Sequence, residues 1–78
     1  MQKISQAMIG KKIKAERIKR GLSQRDLGEL LYMHESRVCR MEGGEALNLE
    51  KLELVANTLD IDVKGLFAAG VIDYEERD

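Results

Sequence analysis

Ser23–Glu42 reads SQRDLGELLYMHESRVCRME, and the spacing inside it governs the rest of the chain. Ser23 is a helix N-cap residue, and Asp26 three positions on completes a capping box, in which each side chain takes up the other residue's backbone N–H. Leu27, Leu30 and Leu31 follow at i, i+3 and i+4, which predicts one apolar helical face. Polarity rises at Tyr32-Met33-His34, where the chain is expected to turn. A second periodic run follows, with Val38 and Met41 three apart, and Gly43-Gly44 stop it.

On a helical wheel of roughly 100° per residue, Val38 and Met41 mark the inward side of the second helix. Ser36 then points outward, flanked by Cys39 and Arg40, with Glu35 and Arg37 on the shoulders. Two short helices joined by a tight turn are the plan of a helix-turn-helix, whose second helix lies in the major groove of DNA. A groove reader needs short side chains for close approach and a long donor for guanine or phosphate, and this outward face offers both.

Beyond this stretch the chain carries Gly10, Ile13, Arg17, Gly21-Leu22-Ser23-Gln24, Leu27, Leu31, Val38, Arg40, Met41-Glu42, Gly44, Leu49, Leu52, Ala56, Leu59 and Leu66-Phe67 in one ordered set. In that order they resemble the phage repressor/Cro-type (XRE-type) helix-turn-helix family, over about residues 9 to 67. The resemblance implies an all-α, compact five-helix repressor-like domain with its helix-turn-helix at the second and third helices. By position it implies base contacts from Glu35, Ser36 and Arg40. It implies phosphate contacts from Gln24, His34, Arg37 and the backbone at Gly43 and Gly44. Gly28 matches a small residue where the two motif helices touch. Arg17 and Glu42 match an ion pair that ties the first helix to the end of the recognition helix.

Two residues depart from that pattern. Tyr32 stands at the turn where most relatives have glycine, and a bulky residue at positive φ is costly. The turn is therefore expected to be strained or to take another path. Glu35 brings a carboxylate towards phosphates. It can accept from cytosine N4, or a neighbouring arginine can hold it.

Seventy-eight residues make one small domain, which is marginal alone and gains from oligomerising. No apolar run is long enough to span a membrane. Cys39 is the single cysteine, which rules out an internal disulfide and points to the reducing cytoplasm. The formal net charge is −1, yet it is divided unevenly. Residues 1–42 carry +5 and residues 43–78 carry −6, so the positive potential falls on the half that holds the motif.

Along the chain, Met1–Ile4 is expected to fray, and Ser5 to cap a first helix running to about Lys19 with Met8, Ile9, Ile13 and the stem of Arg17 on one face. Gly21 ends that helix. After the loop at residues 45–47, Asn48 caps a fourth helix with Leu49, Leu52, Val55, Ala56 and Leu59 as its stripe. Asp62 caps a short fifth helix through Val63, Leu66 and Phe67. The DNA-binding domain is expected at residues 1–70, followed by a tail at 71–78. Leu66, Phe67, Val71, Ile72 and Tyr74 form an apolar patch at this end, which is expected to be a homodimer seam.

The expected function is that of a sequence-specific regulator binding duplex DNA at a palindromic operator, as in Cro-like repressors, restriction–modification controllers and small antitoxins. The competing reading is a protein-interaction module whose acidic second half binds a partner protein, with DNA binding secondary. An enzyme is not expected: there is one His and one Cys, no glycine-rich phosphate loop and no pair of ligands at metal spacing. Neither a cofactor, a metal nor a small-molecule ligand is called for.

Overall fold

Each helix begins where a side chain can cap it. The computed structural model describes residues 2–73. Among them are five helices, α1 Gln6–Lys19, α2 Gln24–Leu31, α3 Glu35–Glu42, α4 Leu49–Thr58 and α5 Val63–Ala69, and two short strands, β1 Gln2–Ile4 and β2 Val71–Asp73. Ser5, Ser23, His34, Asn48 and Asp62 are the five N-caps, each accepting a backbone N–H from the first turn. Such a cap contributes about 1 kcal/mol. At α2 the capping box is complete, with Asp26 N–H to Ser23 Oγ and Ser23 N–H to Asp26 Oδ2 both at 2.9 Å.

Four of the helices end alike. After α1, α2, α3 and α4 one residue turns left-handed: Gly21, Tyr32, Gly44 and Asp60. The following N–H bonds back across the end of the helix, Leu22 to Arg17 O, Met33 to Gly28 O, Glu45 to Arg40 O and Ile61 to Ala56 O, at 2.9–3.1 Å. This is the Schellman closure, which satisfies the last carbonyls of a helix. Tyr32 therefore keeps the turn that a glycine would make, with φ 57° and ψ 44°, and its side chain is 95% exposed. The turn follows the strained alternative, not a changed path.

The core is built from Ile9 and Ile13 of α1, Leu27 and Leu31 of α2, Val38 and Met41 of α3, Leu52, Val55 and Ala56 of α4, Leu59 just beyond it, and Leu66 of α5. Helix α1 packs on α3 and α5, α2 on α3 and α4, and α4 on α5. The expected stripes are broader than the buried ones. Met8, Leu30 and Leu49 remain 42%, 51% and 65% exposed, because the packed face of each helix takes only the central residues of its stripe.

Both ends of the described chain differ from expectation. Gln2–Ile4 does not fray; it pairs antiparallel with Val71–Asp73, Ile4 opposite Val71 and Gln2 opposite Asp73. The ribbon brings the segment after α5 back onto the start of α1, where Gly70 meets Ile9 so closely that a Cβ would lie 2.5 Å from Ile9 Cγ1. Leu66, expected at a dimer seam, is 0% exposed within this chain and has no surface left for a partner. Phe67 beside it is 45% exposed, Val71 is half-buried, and Tyr74 lies outside the described residues.

Candidate nucleic-acid interface

Helix α3 spans eight residues, about 12 Å at 1.5 Å per residue. It is held at both ends. At its start Gly28 of α2 lies under the turn, where a Cβ would sit 2.6 Å from Met33 O. Only a missing side chain lets α2 and α3 approach this closely. At its finish a Cβ on Gly10 of α1 would sit 2.5 Å from both Met41 O and Glu42 O.

The last residue of α3, Glu42, is also fixed by charge. Arg17 Nε donates to Glu42 Oε2 at 2.6 Å and Arg17 Nη2 to Oε1 at 3.0 Å, a bidentate fork. Arg17 Nη1 donates to Leu22 O at 2.8 Å, and Gln24 Nε2 to Glu42 Oε1 at 3.1 Å. Arg17 and Glu42 are each 8% exposed. The carboxylate raises the guanidinium above its ordinary value, so Arg17 stays charged throughout. One buried carboxylate thus joins α1, α2 and α3.

The opposite face of α3 is open: Glu35, Ser36, Arg37, Cys39 and Arg40 are all exposed, while Val38 and Met41 are buried. His34 caps α3 through Nδ1, which accepts the Ser36 N–H at 3.1 Å. An accepting Nδ1 carries no proton, so the ring's proton sits on Nε2. Ser36 Oγ lies 2.9 Å from the same Nδ1, so the hydroxyl and the cap meet at the start of the exposed face. Among the described residues no cation lies within ion-pair distance of Glu35, so the neighbouring arginine that could have held it does not. Arg40 has a partner that periodicity does not reveal: Nε lies 3.4 Å from Glu45 Oε2.

Two groups of expected phosphate contacts are changed by these bonds. The N–H of Gly43 bonds to Cys39 O and Arg40 O, and that of Gly44 to Met41 O at 3.1 Å. Both donors are used in closing α3, so that backbone does not offer a free N–H to a phosphate. Gln24 gives one amide hydrogen to Glu42. Its first role is to brace α3, and only its second amide hydrogen is left for a ligand.

A further charged cluster lies on α1. Glu16 accepts from Lys12 at 2.9 Å and from Arg20, whose Nη1 also reaches Glu16 O at 3.1 Å. These two cations, Arg20 before Lys12, lower the Glu16 carboxyl from 4.5 to about 2. The i, i+4 spacing on both sides of Glu16 is the sequence signal for this cluster. Among the described residues no three His, Cys, Asp or Glu side chains converge as a metal site, and no helix is long and apolar enough to cross a membrane.

The model of the helix-turn-helix family matches residues 13–66. No curated protein sequence matches significantly. Among solved structures, the chain is similar to the restriction-modification controller protein C.AhdI from Aeromonas hydrophila, at 30% identity and a TM-score of 0.73, covering 80% of this chain and 96% of that one. It is similar to SinR, a master regulator for biofilm formation solved in complex with DNA, at 31% identity and a TM-score of 0.69, covering 76% and 97%. It also shares its fold with the clp gene regulator ClgR from Corynebacterium glutamicum, at 20% identity and a TM-score of 0.76, covering 83% and 86%. A buttressed α3 with an open polar face, on a chain matched along most of its length, has one consistent reading: the protein belongs to the helix-turn-helix family of DNA-binding transcriptional regulators.

Proposed function

We propose that the protein binds a palindromic operator as a homodimer and represses transcription there, with α3 of each protomer in the major groove. The observation that carries this reading is the clamp on α3. Arg17 and Gln24 fix its end through Glu42, Gly28 sets its start, and the outward face is left free.

In this reading Arg40 presents its guanidinium to a guanine edge, Glu35 accepts from cytosine N4, and the Ser36 hydroxyl meets a base edge. The His34 Nε2–H and Arg37 face phosphates on either side of α3. A second copy pairs through the exposed Phe67 and the segment beyond α5, which places two recognition helices on successive half-sites. The protein acts by binding and not by catalysis, in the cytoplasm with the DNA it controls.

The test is fluorescence anisotropy on a random duplex and on a duplex selected from a random pool, with wild type and Arg40→Ala at two salt concentrations. Phosphate contacts give a loss of affinity with salt. Loss of a base contact costs about 1–3 kcal/mol on the selected duplex and little on the random one. Equal losses on both duplexes would remove Arg40 from base reading, and no binding by wild type would sink the proposal.

A further inference from the structure

We propose that Glu45 is a specificity-determining residue of this interface: by holding Arg40 it makes that arginine a reader of base edges and a poor ligand for lone phosphates. The inference rests on the DNA-binding reading of α3 and deepens it.

The position of Glu45 is fixed by the way α3 ends. Gly44 turns at φ 105°, with Ala7 of α1 against it, so that a Cβ there would lie 3.2 Å from Ala7 Cα. The Glu45 N–H then closes onto Arg40 O at 3.0 Å. The carboxylate is thereby returned to the last turn of α3, and its Oε2 lies 3.4 Å from Arg40 Nε. Both side chains are more than half exposed or close to it, at 58% and 50%. A pair so open to water adds little to folding.

Its consequence is for what Arg40 binds. Carboxylate and phosphate oxygens are similar acceptors for a guanidinium. Exchanging Glu45 for a phosphate therefore gains little, and the released carboxylate would face the DNA's negative charge. A guanine edge is different. Its O6 and N7 accept from two N–H groups at once. The Nε edge of Arg40 lies on Glu45, while its terminal nitrogens have no partner among the described side chains. They can take the neutral base edge while the carboxylate keeps its place beside Nε, whereas a phosphate on the same nitrogens would lie next to that negative charge.

The experiment compares the wild type with Glu45→Gln on the random and the selected duplex over a range of salt. Glutamine keeps the size of the side chain and removes its charge. The random duplex should bind about two- to fivefold more tightly. Its log–log salt slope should steepen by about one phosphate contact. The selected duplex should gain less, so that the ratio between the two falls. In an Arg40→Ala background Glu45→Gln should only relieve repulsion, raising binding to both duplexes alike and leaving their ratio unchanged. Unchanged random binding, or the same fall in the ratio with Arg40 absent, overturns the role of Glu45 while leaving DNA binding in place. A wild type that binds neither duplex overturns the DNA reading itself.

Discussion

Arg17 and Glu42, twenty-five positions apart, meet through two hydrogen bonds of 2.6 and 3.0 Å with almost no water around them. The pair sits at the junction of α1 with the end of the recognition helix, and Gln24 of α2 completes it. Removing one member of a buried pair strands the other charge, which commonly costs 3–5 kcal/mol. For a domain whose whole stability is about 5–15 kcal/mol, that is a large share. Glu42→Ala should therefore lower the urea midpoint steeply, and Glu42→Gln less, since it keeps one acceptor. A loss under about 1 kcal/mol in Glu42→Ala would mean that water enters and solvates Arg17.

Much of this frame is legible in the residues themselves. Ser5, Ser23, Asn48 and Asp62 mark four helix starts, and all four cap in the structure. What periodicity leaves open is which of two adjacent apolar residues turns inward. Leu66 and Phe67 both read as seam, and only packing against α1 and α4 sends Leu66 in and leaves Phe67 out. The ribbon is silent in sequence because three-residue strands are too short to show an alternating pattern. The Arg40–Glu45 contact depends on a left-handed Gly44, so helical spacing alone does not bring the two together. Gly43 and Gly44 are legible as a helix end, but that same end consumes the amides a phosphate would have needed.

Tyr32 is the costliest backbone position in the motif, a bulky residue at φ 57° with its side chain in solvent. Left-handed geometry costs a non-glycine residue roughly 1–2 kcal/mol. Glycine removes that strain but gives the unfolded chain more freedom, worth about 0.4–1 kcal/mol. Tyr32→Gly should thus be a net stabilisation of about 0.5–1 kcal/mol, raising Tm by about 2–8 °C. Calorimetry decides it, and a lower Tm would show that the exposed ring contributes more than its backbone costs.

Acid should weaken the fold partly through Glu16. Its carboxyl is held at about 2 in the folded protein, against an ordinary 4.5, by Arg20 and Lys12. The stability it supplies is therefore complete above pH 4.5 and is lost as pH falls through the folded value near 2. Asp26, lowered by the Ser23 N–H and hydroxyl, acts in the same direction. Melting wild type and Glu16→Gln between pH 7 and 2 should show a constant gap above pH 4.5 that closes towards pH 2. A gap independent of pH would assign the effect to packing and not to charge.

The dimer proposal turns on Phe67. Its ring is 45% exposed on α5 beside a fully buried Leu66, so a charge placed there need not disturb the core. A surface substitution of this kind usually changes stability by less than about 0.5 kcal/mol. If Phe67 lies at the seam, Phe67→Glu puts two carboxylates against each other across a two-fold axis, because an isologous interface repeats every change. Sedimentation should then report monomers at concentrations where wild type is dimeric. Affinity for the selected duplex should fall much more than affinity for the random one, since the half-sites are no longer bound together. A variant that remains dimeric with unaltered DNA binding would move the interface away from α5.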